Sequence, residues 1–325
     1  MAGQDPIRVA VLDDYQRAAA GLADWAGLGP GIAVDFLHEP VPRAEAAARL
    51  APYAVLCLMR ERMPLDAALI EALPNLRLVV FTGGRTHALD FPALARAGVT
   101  VCHTRNGEGG VATAELAFAL ILACLRHLPG EFARMRAGLW QDSIGSVLDG
   151  RRLGLVGLGR IGGRMARIGA AFGMEPVAWS PHLTPERAAA GGAALVSRED
   201  LFRTADVVSL HLVLAPATRG IVGAAEIGLM RPGAVLINTA RGPLVDEAAL
   251  IAALREGRLR AAGLDVFDRE PLPADHPLRA LPNAVLTPHL GYVTDATYRM
   301  FYEDTVEAIA AWRRGAPVRV VEPAA

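Results

Sequence analysis

Short, wholly apolar runs alternate with amphipathic stretches of helical length along nearly the whole chain. Ile7–Leu12, Ala54–Leu58, Leu78–Phe81 and Thr100–His103 are rich in Val, Leu and Ile and predict buried strands. Between them, Arg43–Ala51, Asp66–Leu73 and Phe91–Ala97 have the spacing and alanine content of helices. Strands apolar on both faces and separated by helices predict βαβ units and a parallel sheet. After Asn106 the texture changes. Thr113–His127 predicts one long helix closed by Pro129-Gly130, and a second alternating series then begins. Its strands are Arg152–Val156, Glu175–Trp179, Val207–His211, Ala234–Asn238, Ala261–Val266 and Ala284–Thr287, enough for a complete doubly wound sheet of their own. Asp295–Arg313 predicts a final helix. The pattern therefore gives two doubly wound halves, one before about Asn106 and one after it.

Length agrees, since 325 residues at roughly 150 per domain suggest about two domains. Hydrophobic residues make up 52% and charged residues 21%, so a sizeable core is available. The net charge is −1 and no Lys/Arg-rich run stands out, which excludes the electrostatic footprint of a nucleic-acid binder. The longest apolar stretch, Val111–Leu125, carries Glu115 and is too short to span a bilayer, so no membrane association is expected. The start of the chain lacks a basic leader followed by an apolar core, and a cytoplasmic location is expected. Cys57, Cys102 and Cys124 show no CxxC spacing, which argues for buried thiols rather than a disulfide framework or a metal site.

The sharpest local signal is Gly157-Leu-Gly159-Arg160-Ile161-Gly162. A lone GxGxxG is weak, but here an apolar strand precedes it and a helix candidate, Ile161–Phe172, follows. In that context Gly157 makes the tight turn, Gly159 lets backbone approach a pyrophosphate, and Gly162 permits close helix–strand packing. The helix start adds unpaired N–H groups and a positive dipole end. The acidic residue expected about 20 positions on, to hold a ribose, is missing: Ser180 stands there, in Trp179-Ser180-Pro181-His182. Without that carboxylate a 2′-phosphate is not repelled, and Ser180, His182 and Arg160 could donate to one. No Arg follows Ser180 directly. The cofactor is expected to be NAD or NADP, with the choice open.

Three polar residues fall at the carboxyl ends of predicted strands in the same half. Arg241 lies in Asn238-Thr239-Ala240-Arg241-Gly242, Glu270 in the segment Gly263–Pro271, and His289 in Thr287-Pro288-His289-Leu290-Gly291. Each alone is weak, since an Arg after a strand is usually a surface charge and a single His usually packs or is solvated. Together, in this order behind a dinucleotide turn, these motifs resemble the D-isomer-specific 2-hydroxyacid dehydrogenase family. The likeness runs over essentially the whole chain, including Met59–Arg62 and Phe81–Asp90.

The resemblance implies an α/β protein of two doubly wound parallel-sheet domains (Rossmann-like/flavodoxin-like) with an interdomain cleft. Residues 1–105 and 291–325 would form the substrate domain and 106–290 the dinucleotide-binding domain. His289 resembles the family's general acid/base, a role that suits a side chain titrating near neutral pH. Glu270 would accept from its other ring nitrogen and fix the tautomer. Arg241 would bind the substrate carboxylate through its planar fork. Asp265 is similar to the residue that holds the nicotinamide carboxamide. Thr218, Thr239, Ala240, Arg241, His289 and Gly291 would lie along the cofactor with Gly157, Gly159, Arg160, Ile161, Gly162 and Ser180. The backbone amides of Gly83 and Gly84 resemble the substrate-carboxylate loop, and Arg60, with Arg62 beside it, could reach an anionic substrate. Tyr292 could line the pocket or belong to the core. The chain departs from the family at Val213, where proline is common, and at Ser180.

The implied reaction is hydride transfer between NAD(P)H and a small 2-oxoacid or D-2-hydroxyacid, with no metal. Trp140, after a basic helix at Arg134–Arg136, suggests a subunit contact, and a homodimer is the family expectation. Two alternatives stay open: oxidation of a small anion such as formate or phosphite, and a dinucleotide-sensing, corepressor-like module.

Overall fold

In the first half of the chain the apolar runs form β1 (Ile7–Val11), β3 (Val55–Leu58), β4 (Leu78–Phe81) and β5 (Thr100–His103), joined by β2 (Ile32–Phe36). The computed structural model describes residues 5–84, 86–107 and 110–321; Arg85, within the Phe81–Asp90 motif, lies outside them. All five strands are parallel, in the order β2-β1-β3-β4-β5. β3 and β4 are buried along their whole length, as continuous apolar runs require when both faces are covered. β2 is the strand that sequence pattern did not reveal. It lies at the sheet edge, each residue is only half-buried, and its Asp35 pairs with Arg8 at 2.6 Å. Its apolar run is only Ile32–Val34 before Asp35 interrupts it, too short to stand out as a strand.

The chain divides into two units, Met1–Glu108 with Thr294–Ala325, and Gly109–Val293. Thr294 caps the long helix Asp295–Arg313 through the Thr297 amide, and Tyr298, Phe301 and Tyr302 bury its inner face. That helix packs on β4, β5 and the short helix Ala19–Leu22. Asp304, 2% exposed, accepts from the Arg105 guanidinium at 2.7 and 3.0 Å and from the Arg105 amide at 2.8 Å. Burial raises the Asp304 carboxyl, but the Arg105 hydrogen bonds and the Arg319 charge outweigh it and hold it below the usual range. Beyond the helix, Val321 donates to the Val101 carbonyl (2.9 Å) and His103 to the Arg319 carbonyl (3.0 Å), so residues 319–321 cover the outer edge of β5.

The second unit carries β6 (Arg152–Val156), β7 (Glu175–Trp179), β8 (Ala194–Leu195), β9 (Val207–Leu210), β10 (Val235–Asn238), β11 (Ala261–Leu264) and β12 (Ala284–Leu286). These seven are parallel, in the order β12-β11-β10-β9-β6-β7-β8. Six were predicted; the seventh, β8, is a two-residue edge strand too short to show a pattern. Along β10 successive side chains serve opposite faces: Val235 and Ile237 join one core and Leu236 the other. The predicted Thr113–His127 helix is the single helix Val111–Leu125, and a second helix, Leu128–Arg136, follows it. Val111–Leu125 ends, His127 turns left-handed, and Pro129 opens Leu128–Arg136 instead of closing its predecessor. Proline is tolerated there because the first turn of a helix has no partner for its missing N–H. Among the described residues no single helix is long and apolar enough to cross a membrane. Cys57, Cys102 and Cys124 are buried and unbridged.

Candidate active site

The strand order of the second unit reverses between β6 and β9, and open α/β sheets bind ligands at the carboxyl ends of strands beside such a switch. Gly157 follows β6 directly, with φ +103, and donates to the Trp179 carbonyl at 2.8 Å. A Cβ at Gly157 would sit 2.8 Å from the His211 carbonyl carbon, and one at Gly162 would sit 2.2 Å from the Gly157 oxygen. Both positions therefore require glycine, for the turn and for the close approach of the helix Arg160–Ala171. His211, just past β9, backs this turn. Burial pushes its imidazole down to about 4, and Ser209 Oγ lies 2.9 Å from its Nε2, so it stays neutral behind the loop.

The proposed proton-transfer pair is assembled from two neighbouring strand ends. His289 Nδ1 lies 2.6 Å from Glu270 Oε2, while Glu270 Oε1 accepts the Phe267 amide at 2.9 Å. Burial raises the Glu270 carboxyl, yet the hydrogen bond and charge of His289, the Phe267 amide and the Arg241 charge outweigh it and hold it below the usual range. Glu270 is thus an anion facing Nδ1, which leaves Nε2 for the reacting group. His289 itself adopts φ +54, an uncommon conformation for a side chain with Cβ. Asp265 sustains it. This fully buried carboxylate accepts from Thr287 Oγ1 (2.6 Å) and from the amides of Leu290 (2.7 Å) and Gly291 (2.8 Å), and its carbonyl accepts the His289 amide. Burial raises the Asp265 carboxyl despite these donors. The residue that family likeness sets on the nicotinamide is therefore also the anchor of the His289 loop.

Asn238 performs a similar service for Arg241. Its amide donates to the Arg241 carbonyl (2.9 Å) and accepts from the Ala240 N–H (3.1 Å), and Arg241 Nη1 donates to the Ala240 carbonyl at 2.7 Å. Sequence reading passed over Asn238 although it opens the Arg241 motif. It also missed Thr113, whose hydroxyl donates to the Gly291 carbonyl at 2.8 Å, for which no local signal exists. Tyr292 stands edge-on to the His289 ring, with centroids 5.5 Å apart.

Two further candidate groups are engaged in local hydrogen bonds. Thr218 Oγ1 donates to the Val213 carbonyl (2.7 Å) and accepts the Ala215 amide (2.8 Å), so its hydroxyl shapes its own exposed loop. The amides of Gly83 and Gly84 are not open donors either: they bind Thr104 Oγ1 (2.8 Å) and Asn106 Oδ1 (2.6 Å). An anion at Gly84 must take the place of the Asn106 side chain. Arg60, with φ +55, lies across Gly83, where a Cβ would meet its Nη1 at 2.0 Å. Arg62 packs over the Tyr15 ring at 4.5 Å and donates to the Asp13 carbonyl at 2.9 Å.

The second unit fits a dinucleotide. The glycine turn leaves the amides at the start of Arg160–Ala171 without a capping side chain, and open space lies over Gly159. Near the β10 end, the buried Thr239 Oγ1 has no hydrogen-bond partner among the described residues, an orphan that a bound polar group would satisfy.

Comparison with known proteins agrees. The family model for "D-isomer specific 2-hydroxyacid dehydrogenase, NAD binding domain" matches residues 118–291. The chain is 38% identical over 286 residues to D-3-phosphoglycerate dehydrogenase of Mycobacterium tuberculosis, covering 87% of this chain and 53% of that protein. It therefore spans about half the length of these relatives. It is 39% identical over 272 residues to glyoxylate reductase of Aeropyrum pernix, covering 81% of this chain and 80% of that protein. The solved structure of a phosphoglycerate oxidoreductase from Vibrio cholerae superposes with a TM-score of 0.89 at 37% identity, over 95% of this chain and all of that one. With its fold, its glycine turn and its Arg241, Glu270 and His289 motifs, the chain belongs to the D-isomer-specific 2-hydroxyacid dehydrogenase family.

Proposed function

We propose that the protein interconverts a small 2-oxoacid and the corresponding D-2-hydroxyacid with a nicotinamide dinucleotide. The observation that carries this reading is the 2.6 Å contact between His289 Nδ1 and Glu270, in the same unit as the glycine turn and Arg241. A bound dinucleotide supplies or accepts the hydride. Glu270 fixes the His289 tautomer, so that Nε2 gives its proton to the carbonyl oxygen in reduction and takes it back in oxidation. The imidazolium or imidazole left behind stays paired with the Glu270 anion throughout. Arg241 holds the substrate carboxylate and places positive charge near the oxygen that becomes negative.

The test follows loss of reduced-cofactor absorbance with purified protein over a panel of 2-oxoacids, including glyoxylate, hydroxypyruvate and phenylpyruvate, with NADH and NADPH in parallel. Turnover with a panel member is expected. Dinucleotide binding with no turnover on any 2-oxoacid would overturn the catalytic reading in favour of a sensing module.

We also propose a homodimer. Phe132, Met135, Trp140, Ile144 and Val147 lie on the helix Leu128–Arg136 and the segment after it, each more than half exposed. So many large apolar side chains on one stretch suit a protein–protein contact. Light scattering should give twice the 34.3 kDa chain mass, and Trp140→Glu with Ile144→Asp should return it to one. A monomeric parent protein would refute the assignment.

A further inference from the structure

We infer that the dinucleotide is NADP(H) and that a cationic subsite on the helix Arg160–Ala171 takes its 2′-phosphate. The inference rests on the dinucleotide-binding part of the reading above and is independent of the catalytic part. Three observations carry it.

The first is Ser180. Trp179 pairs with Val156 in the β6–β7 register, and its carbonyl receives the Gly157 amide at 2.8 Å. Ser180 is thus the next residue beyond the strand end joined to the phosphate turn, where a ribose-binding carboxylate would repel a second phosphate. Between Ser180 and Gly191 the chain has one carboxylate, Glu186. It is exposed and engaged with Thr184 and the backbone at the start of its own helix, Pro185–Ala190.

The second is a cavity of about 400 Å³ beside the turn. Gly159, Gly163 and Gly191 line it together with Arg160, Arg164 and Arg167. Positions i, i+4 and i+7 fall on one helix face, so the three guanidinium groups share the cavity. From the neighbouring helix Arg187 donates to the His182 carbonyl at 3.0 Å, adding a fourth cation to the segment that follows Ser180.

The third is that this charge is uncompensated. Arg151, Arg152, Arg198, Arg203 and Arg231 of the same unit each reach a carboxylate within 4.0 Å. Arg160, Arg164 and Arg167 have no such partner among the described residues. Arg160 moreover opens its helix, where the dipole already presents positive charge and a cation is disfavoured. Like charges grouped at a helix start are stabilised when an anion enters. The pyrophosphate common to both dinucleotides belongs at the glycine turn itself. The cavity lies on the side of the helix facing Gly191 and the segment after β7, and the extra phosphate of NADP(H) suits it.

Binding should be measured directly, by quenching of protein fluorescence or calorimetry, with NADPH, NADH, 2′,5′-ADP and 5′-ADP. NADPH is expected to bind at least about tenfold more tightly than NADH, and 2′,5′-ADP likewise over 5′-ADP, because one charge-assisted hydrogen bond is worth about a decade in affinity. Arg164→Ala should weaken NADPH about five- to tenfold and leave NADH where it was. Ser180→Asp should abolish the preference, with NADPH losing and NADH holding or gaining. Equal or tighter binding of NADH by the parent protein would overturn the inference. So would an Arg164→Ala variant that loses both dinucleotides equally. Failure of all four ligands to bind would instead remove the dinucleotide reading itself, and this inference with it.

Discussion

Replacing His289 with Gln is expected to lower kcat on the order of a thousandfold, the loss typical of removing a general acid/base. Glutamine keeps much of the shape and can still hydrogen-bond to Glu270, but it cannot give up or regain a proton at Nε2. The Glu270 carboxyl is held below the usual range, so at neutral pH it remains an anion opposite whatever stands at position 289. Dinucleotide affinity should change far less than kcat, because the glycine turn and the helix Arg160–Ala171 sit at the ends of other strands. Steady-state rates and fluorescence titration on the same preparation make the comparison. A variant turning over at the parent rate would remove His289 from the chemistry, however short its contact with Glu270.

Arg241→Ala is expected to reduce kcat/KM by about 10³-fold, combining loss of a charge-assisted carboxylate contact with loss of positive charge near the developing oxyanion. Arg241→Lys separates the two contributions. It keeps the charge and loses the planar two-point fork, so it should recover only part of the rate, with the remaining deficit weighted toward KM. Asn238 holds this turn through the Arg241 carbonyl and the Ala240 amide, neither of which needs the Arg241 side chain, so substitution leaves the turn intact. If Arg241→Ala raised KM alone, Arg241 would contribute uniform binding and no transition-state stabilisation.

Much of this architecture was legible from apolar patterning. β3, β4 and β10 are buried throughout, and burial on both faces leaves a continuous run of Val, Leu and Ile. β2 escaped notice because a short edge strand, half-exposed on every residue, is broken by Asp35 after three apolar residues. The Gly157–Gly162 turn and the motifs around Arg241, Glu270 and His289 were equally plain, since their spacing is local. What could not be read is who satisfies whom across long separations. Asp265 holds a loop 25 residues further on, and Asn106 occupies the Gly84 amide from 22 residues away. Periodicity reports which side chains are removed from water; it carries no record of hydrogen-bond partners. Arg160 is legible as part of the glycine motif, whereas Arg164 and Arg167 carry no local signal and are tied to it only by the cavity that all three line.

The return of the last helix to the first unit has a consequence for synthesis. β5 is complete once residue 103 has emerged, but among the described residues its outer edge is covered by residues 319–321, and Arg105 meets Asp304, 199 residues further on. The whole second unit is translated in between, which at about 5–20 residues per second lasts roughly ten to forty seconds. During that interval an exposed parallel-sheet edge protrudes from the ribosome with its backbone donors and acceptors free to pair with another chain. The second unit, Gly109–Val293, is contiguous in sequence and can close while the first waits. The nascent first unit is therefore the stage at which this protein is most open to misassociation and to chaperone capture.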